Sequence, residues 1–188
     1  MGDVPKEAGK SSFDLIDHAA LFGALPVDGV RLALDLGCGA GRYTLELASR
    51  LGDGRVVGFD LWAEGIAELR RQASDRTLDR CTGEVADLSR LPEVTDGAAD
   101  LALFGTVLHD LVPRNTADTA LAEAARVLRP GGWLAVVEFH PRDTRPGPPR
   151  AMRLAPKQVD DLASPHGFSP AGITDLGAHC YLALYRRI

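Results

Sequence analysis

A glycine-rich turn between an apolar run and a helix-forming run constrains this chain more than any other feature. Residues 34–41, LDLGCGAG, follow the apolar residues Leu32 and Ala33 and precede a helix-forming stretch that extends to Leu51. Glycines let a backbone approach a ligand where a Cβ atom would clash, and they adopt positive φ in a turn. The helix that follows a turn of this kind presents unpaired N–H groups to the ligand. The segment therefore predicts a nucleotide-binding cradle.

The spacing of the glycines indicates which class of ligand the cradle would bind. Gly37, Gly39 and Gly41 form a Gly-x-Gly-x-Gly pattern, whereas the dinucleotide fingerprint needs a glycine where Arg42 stands. An acid, Asp35, stands two residues before the first glycine, where it can meet a cation. This arrangement favours a ligand with an ammonium or sulfonium group over one with a pyrophosphate.

The glycine-rich run resembles the first signature of the class I S-adenosylmethionine (AdoMet) methyltransferases. Later segments resemble further signatures of that family, in the family's order: the apolar run 56–60, the segment 86–88, the run 100–104 and the turn 128–134. The resemblance covers residues 30–140 well and the remainder more loosely. Within the family, the chain is similar to the small-molecule branch typified by the ubiquinone and menaquinone biosynthesis enzymes.

The resemblance implies AdoMet as the cofactor and assigns residues to its site. They are Asp35, Gly37, Cys38, Gly39, Gly41, Asp60, Leu61, Asp87, Leu88 and Phe104. The glycine-rich turn and Phe104 would surround the methionine part, and Asp60 would hold the ribose. Leu61, Asp87 and Leu88 would contact the adenine. Two alternatives stay open, because Asp35 could be a helix-cap or turn carboxylate and the segment 86–88 could simply form a turn.

Two histidines are the candidate catalytic residues. His109 lies five residues past Phe104 with Asp110 beside it, and His140 ends the fifth predicted strand. Both would lie at the carboxyl ends of the strands, where open α/β sheets bind ligands. Either could act as a base or line the acceptor pocket, together with the Pro-rich loop 141–149. The alternatives are a polar loop residue for His109 and a hydrogen-bonded strand end for His140.

Four arginines after the fifth predicted strand do not indicate one particular function. Arginines 142, 145, 150 and 153 could meet an anionic acceptor or belong to a solvated loop. His109, Asp110 and His140 could also be metal ligands. However, the chain lacks the acidic set of metal-dependent catechol-type methyltransferases, so no metal is expected.

Apolar runs alternate with helix-forming stretches along the chain. Strands are predicted at 31–36, 55–60, 81–86, 99–105, 132–139, 167–175 and 178–187. Helices are predicted from Ser11 or Ser12 to Leu25 and at 41–51, 63–74, 115–128 and 156–164. This alternation predicts an α/β fold, a Rossmann-like doubly wound sheet with helices on both faces. The resemblance implies that the sheet is mostly parallel, with an antiparallel C-terminal edge hairpin. Residues 11–188 would form a single domain after a mobile N-terminus, 1–10.

The composition of the chain limits which partners it can bind and in which cellular compartment it is expected. A net charge of −5 over 188 residues gives no basic surface for nucleic acid. No apolar run is long enough to insert into a membrane. Three cysteines without paired spacing suggest a reduced, cytoplasmic setting. The expected partner is a small-molecule methyl acceptor, and the oligomeric state is not predicted. The alternatives to a methyltransferase are a non-catalytic AdoMet-binding partner and, less well supported, an NAD-dependent oxidoreductase.

Overall fold

A seven-stranded β-sheet forms the centre of the computed structural model, which describes residue 9 and residues 11–188. The strands are β1 (Leu32–Leu36), β2 (Arg55–Asp60), β3 (Cys81–Val85), β4 (Ala99–Gly105), β5 (Leu128–Phe139), β6 (Phe168–Asp175) and β7 (Cys180–Arg187). Their order is β3-β2-β1-β4-β5-β7-β6, and β7 alone runs against the others in this sheet. The predicted Rossmann-like sheet and its C-terminal antiparallel pairing are confirmed.

Helices cover both faces of the sheet. They are α1 (His18–Ala24), α2 (Arg42–Ala48), α3 (Ala63–Asp75), α4 (Leu108–Leu111), α5 (Ala117–Val127) and α6 (Pro156–Ala163). Apolar side chains of α1 and α2 pack with one face, and those of α5 and α6 pack with the other. On the α2 face, Leu69 of α3 closes a gap lined by Gly58 and Gly83. Among the described residues, no helix is long and apolar enough to cross a bilayer.

The prediction of one helix from Ser11 or Ser12 to Leu25 is wrong. A 3-10 turn over Phe13–Leu15 is followed by extended backbone at Ile16, and α1 begins only at His18. Asp17 caps α1, because its Oδ1 accepts the Ala20 N–H at 3.0 Å. Ser12 is buried and its hydroxyl bonds to other parts of the chain, so it is not available as a cap. The predicted mobile segment 1–10 lies outside the described residues, apart from residue 9.

The fifth strand begins earlier than predicted, at Leu128 and not at residue 132. Its pairing with β4 is irregular, because Ala99 faces Leu128 whereas Leu101 faces Trp133. The turn residues between those two pairs are accommodated as a bulge, and Gly131 takes a φ of 70°. Helix α5 is slightly shorter than the predicted 115–128. The segment 141–149 forms neither helix nor strand, as predicted.

The direction of the chain reverses between β1 and β4, which places a crevice at the carboxyl ends of these strands. After β1 the chain crosses to β2, and after β4 it crosses in the opposite direction to β5. Open α/β sheets bind ligands at such a switch point. The glycine-rich turn follows β1 and the His109 segment follows β4, so the topology brings both to this crevice.

Candidate active site

The glycine-rich turn is shaped by three positive φ angles, 83° at Gly37, 54° at Gly39 and 82° at Gly41. A Cβ atom on Gly37 would lie 2.6 Å from Val107 Cγ2, and one on Gly41 would lie 2.3 Å from Leu69 Cδ1. These two glycines are therefore required for packing. A Cβ atom on Gly39 would meet nothing within 4 Å. The turn thus leaves open space at its middle glycine, where a ligand can approach the backbone.

Asp60 connects the glycine-rich turn to the end of β2. Its Oδ2 accepts the Gly39 N–H at 2.8 Å, and its Oδ1 accepts the Trp62 N–H at 2.8 Å. Each carboxylate oxygen has a second lone pair, so the half-buried group can still accept two ligand hydroxyls. Leu61, the next residue, exposes 42% of its surface although it is apolar. Asp60 therefore offers hydrogen-bond acceptors for the hydroxyls of a ribose, and Leu61 offers an apolar surface for a flat base.

Asp35 is a buried carboxyl group with one unsatisfied oxygen. Its Oδ2 accepts the Thr44 hydroxyl at 2.6 Å, whereas Oδ1 has no hydrogen-bond partner among the described residues. Burial raises the pKa of Asp35 to about 7, and the charge of Asp60 adds to this rise while Thr44 opposes it. A buried acceptor without a partner is uncommon and needs an explanation. A cationic group of a ligand would be a suitable partner for Oδ1.

Two residues assigned to the cofactor site turn their side chains away from the cradle. The Cys38 thiol lies against Gly58, where a Cβ atom would come within 2.7 Å of Sγ. Burial, followed by the charge of Asp35, raises the pKa of this thiol well above its usual value. Phe104 is fully buried in the core, and β4 extends one residue further to Gly105. The side chain of Phe104 therefore cannot contact a ligand, and the Cys38 thiol is directed at β2.

The segment 86–88 forms a turn next to Asp60. The Ala86 N–H donates to the Asp60 carbonyl at 3.0 Å, and the exposed Asp87 accepts the Ser89 N–H at 2.9 Å. Leu88 packs into the core. The chain therefore turns at this point, with the Arg90 N–H donating to the Asp87 carbonyl at 2.9 Å. The contact of Asp87 and Leu88 with adenine remains a prediction.

His109 lies in the short helix α4 and is only 4% exposed, which differs from the loop expected. Its Nδ1 is 2.8 Å from Oε2 of Glu138, and its backbone N–H donates to Glu138 Oε1 at 3.0 Å. Oδ1 of Asp110 is 3.5 Å from Nε2. Sequence reasoning missed this pairing of Glu138 with His109, although an acid inside an apolar strand such as β5 signals a buried partner.

His140 lies against the hairpin of β6 and β7. Its Nε2 is 3.2 Å from the Gly177 carbonyl and 3.6 Å from Oδ2 of Asp175, and its ring packs beside Tyr181. These contacts agree with the interpretation of a hydrogen-bonded strand end. That His140 and His109 border one acceptor pocket remains a prediction.

One buried arginine holds the Pro-rich loop 141–149 in place. Arg153 is 4% exposed, and its guanidinium lies 5.4 Å from the centre of the Phe139 ring. Its nitrogens donate to the carbonyls of His140, Thr144, Pro146 and Pro148 and to the Thr144 hydroxyl. Arg153 is therefore neither solvated nor directed at an anionic acceptor. Arginines 142, 145 and 150 are exposed.

Sequence reasoning also missed a group of three bonded hydroxyls at the crevice, of which those of Ser12 and Tyr43 are buried. Ser12 Oγ lies 2.8 Å from the Tyr43 hydroxyl and 2.9 Å from Thr106 Oγ1. Thr106 adopts a φ of 59° immediately after β4. These bonds attach the N-terminal segment to α2 and to the end of β4. The three residues are far apart in the sequence, so no local pattern could have revealed the group.

Within the described part of the chain, no group of three or more His, Cys, Asp or Glu side chains could hold a metal ion. The three cysteines are free thiols.

Comparisons with known proteins agree with this geometry. Residues 33–132 match the family described as methyltransferase domain. The chain is 34% identical over 133 residues to a fatty-acid O-methyltransferase of Mycolicibacterium smegmatis, covering 71% of this chain and 46% of that protein. It is 36% identical over 108 residues to the ubiquinone/menaquinone biosynthesis C-methyltransferase UbiE of Bdellovibrio bacteriovorus, covering 56% of this chain and 43% of the relative. The chain thus spans less than half the length of these two relatives.

A solved structure shows the same fold over almost the whole chain. It is a SAM-dependent methyltransferase of Aquifex aeolicus, with a TM-score of 0.86 and 20% sequence identity. The match covers 97% of this chain and 96% of that one.

Proposed function

The chain belongs to the class I AdoMet-dependent methyltransferase family, and we propose that it binds AdoMet and transfers the methyl group to a small-molecule acceptor. The observation that carries the proposal is the cradle at Gly39. It is open in the middle, attached to Asp60 by a hydrogen bond, and lies in the turn that follows Asp35 with its unsatisfied oxygen. These features fit the ribose and the cationic amino group of AdoMet.

Each part of the cradle has a defined task in this proposal. Asp60 accepts the ribose hydroxyls with its remaining lone pairs, and Leu61 covers one side of the adenine. Asp35 faces the amino group of the methionine part, while the N–H groups of the turn bind its carboxylate. AdoMet supplies a methyl group that a sulfonium leaving group already activates. The protein therefore contributes mainly alignment, which is worth about 7–11 kcal/mol in well-oriented reactions.

The acceptor would bind on the rim formed by the ends of β4 and β5. His109 and the loop 141–149 lie at these ends, and such rims carry the substrate contacts of α/β enzymes. A small organic acceptor is supported by the net charge of −5, which disfavours nucleic acid. The names of the two relatives, which refer to fatty acids and to quinone biosynthesis, support the same class.

Calorimetry with AdoMet, S-adenosylhomocysteine (AdoHcy) and NAD tests the cofactor part. We expect the two sulfur nucleosides to bind with micromolar affinity and NAD not to bind. Asp60→Ala should weaken binding at least tenfold, because hydrogen bonds to a charged group contribute about 1.5–3 kcal/mol each. Its melting temperature should also fall, since Asp60 accepts two N–H groups of the protein. Glu84→Gln is the matched control, because Glu84 pairs with Arg70 at the surface.

Two results would contradict the cofactor assignment. One is binding of NAD without binding of either sulfur nucleoside. The other is a folded Asp60→Ala variant whose affinity changes less than twofold. Transfer of a radiolabelled methyl group to a panel of metabolites tests the catalytic part. AdoMet binding without transfer to any of them would favour the non-catalytic partner.

A further inference from the structure

We propose that the segment 11–17, called the strap below, is a gate on the cofactor cradle and that Ser12 is the positioning residue that latches it. Entry of AdoMet and release of AdoHcy then require the strap to loosen. This rests on the proposed function, because it concerns how the two sulfur nucleosides enter and leave the same site.

The strap runs along the carboxyl ends of the strands, the edge of the sheet that carries the cradle. Gly9, just before it, lies beside Trp62 after β2, since a Cβ atom built on Gly9 would be 3.5 Å from the ring. Ser12 bonds to Thr106 at the end of β4, and the last N–H of the strap donates to the Leu176 carbonyl at 2.9 Å. Leu176 lies between β6 and β7. These contacts follow the strand order β2-β1-β4-β5-β7, so the chain passes the crevice between β1 and β4.

Side-chain hydroxyls, and not backbone pairing, hold the strap at the crevice. Ser12 is only 2% exposed, and its Oγ lies 2.8 Å from the Tyr43 hydroxyl and 2.9 Å from Thr106 Oγ1. Within the described part of the chain, residues 11–16 make no backbone hydrogen bond to the sheet. Segments without such bonds open at a lower free-energy cost than the strands of a sheet. The strap can therefore loosen while the sheet stays folded.

The three hydroxyls form one directed chain of hydrogen bonds. Thr106 Oγ1 donates its proton to the Gly105 carbonyl at 2.7 Å. Because a hydroxyl has only one proton, Ser12 donates to Thr106 and Tyr43 donates to Ser12. Each bond in such a chain polarises the next, so the removal of one hydroxyl weakens the others. The chain connects α2, the strap and the end of β4.

Further contacts attach the strap to the first turn of α2. The Phe13 ring meets the Tyr43 ring edge-on, with the ring centres 5.0 Å apart. The Arg42 guanidinium lies 5.4 Å from the centre of the Phe13 ring and pairs with Asp14. Arg42 and Tyr43 directly follow Gly41. The strap is thus attached to the helix that begins at the glycine-rich turn.

Thr106 connects the latch to the cradle. Its φ of 59° is a strained conformation for a β-branched residue, and such strain persists only where surrounding contacts hold it. The bond from Ser12 is one of these contacts. The next residue, Val107, fills the space beside Gly37, where a Cβ atom would lie 2.6 Å from Cγ2. Loss of the Ser12 bond therefore lets the turn after β4 relax and shifts Val107 relative to the glycine-rich turn.

A latch differs from a ligand contact in its effect on binding rates. Weakening a latch makes opening easier, so both association and dissociation of the ligand become faster. Loss of a direct ligand contact changes mainly the dissociation rate. Ser12 acts through Thr106, so it should show the first behaviour.

Rapid mixing of the wild-type chain with radiolabelled AdoHcy, followed by filtration, tests the gate without any variant. The observed binding rate should level off at high AdoHcy concentration, because it becomes limited by the movement of the strap. A rate that stays proportional to the concentration up to the time resolution of the experiment overturns the gate.

The same measurement, with a chase of unlabelled AdoHcy, tests the latch in a matched set of variants. Ser12→Ala and Thr106→Val should each raise the association and dissociation rate constants about tenfold, the effect expected for loss of one buried hydrogen bond. Thr106→Ser keeps the hydroxyl and should retain the wild-type rates. Ser74→Ala, at an exposed position in α3, is the control and should leave both rates unchanged.

Two outcomes contradict the role of Ser12. Unchanged rates in folded Ser12→Ala and Thr106→Val mean that the hydroxyls do not hold the gate. A faster dissociation with an unchanged association rate means that they contact the ligand directly. If both variants fail to fold, hydrogen exchange of the wild type decides. The amides of residues 11–16 should then exchange at least about tenfold more slowly with AdoHcy bound, and equal exchange overturns the gate.

Failure of the gate and failure of the proposed function give different results. A wild-type chain that binds neither AdoMet nor AdoHcy at equilibrium rejects the proposed function. Binding at equilibrium without a limiting rate rejects the gate alone.

Discussion

Asp35 shows how a single buried carboxyl group links the site to stability. Burial raises its pKa to about 7 in the folded chain, whereas a free aspartate titrates near 3.9. Between these values the folded state holds a proton that the unfolded state has released. The stabilising effect of the neutral carboxyl is therefore complete below about pH 4 and is lost as pH rises through about 7.

We predict that cofactor binding is coupled to this proton. A cationic amino group next to Asp35 would lower its pKa, so AdoHcy binding at about pH 6 should release protons and affinity should rise up to tenfold per unit towards about pH 7. Calorimetry in two buffers of different ionisation enthalpy measures the release. Asp35→Asn should bind more weakly and without this release. Equal affinities at about pH 6 and pH 7 in the wild type would show that Asp35 does not meet the cation.

At the residue scale, what the sequence could predict was limited to local patterns. The glycine-rich turn, Asp35 and Asp60 are readable because their spacing along the chain is short and regular. Glu138 was missed because its partner His109 is 29 residues away and the contact depends on how β5 lies beside α4. Ser12 has its partners 31 and 94 residues away, so its burial could not be foreseen either.

At the element scale, the bounds of strands in the centre of the sheet were predicted well. The bounds of elements whose ends contact distant parts of the chain were not. The bounds of β2 and β4 agree with the predicted 55–60 and 99–105, because continuous apolar runs stop where polar residues begin. The start of β5 was missed because the turn residues of a bulge do not resemble a strand. The N-terminal helix was mispredicted because the Ser12 hydroxyl is used in the crevice and not as a cap.

The Pro-rich loop provides a prediction at this scale. Arg153→Lys should loosen the loop 141–149, because an ammonium cannot replace a planar fork that donates to several carbonyls at once. Hydrogen exchange of the loop and of the adjacent end of β5 should speed up at least about tenfold. Arg150→Lys, at an exposed position nearby, should leave exchange unchanged. Equal exchange in both variants would mean that the loop is held by other contacts.

At the scale of the whole molecule, the alternation of strands and helices was sufficient to predict a doubly wound sheet. Chain length and the absence of a linker predicted a single domain. In the proposed function the two halves of the sheet have different tasks, since β1 and β2 would carry the cofactor cradle and β4 and β5 would carry the acceptor rim. A methyltransferase of this kind needs both halves to keep their relative position, so we expect them to unfold together.

The two tryptophans allow a direct test of this single cooperative unit. Trp62 lies at the cradle, where its backbone N–H donates to Asp60. Trp133 lies in β5, with the Arg186 guanidinium 3.9 Å from the centre of its ring. In urea, the fluorescence transitions of Trp62→Phe and Trp133→Phe should coincide with the loss of helical circular dichroism of each variant. AdoHcy at about a hundred times its Kd should stabilise both variants by about 2.7 kcal/mol, once calorimetry has shown that each still binds it. Trp62 is the reporter in Trp133→Phe, and Trp133 is the reporter in Trp62→Phe. If AdoHcy shifts the fluorescence transition of Trp62 and leaves that of Trp133 in place, the halves unfold separately and the prediction of one domain is wrong.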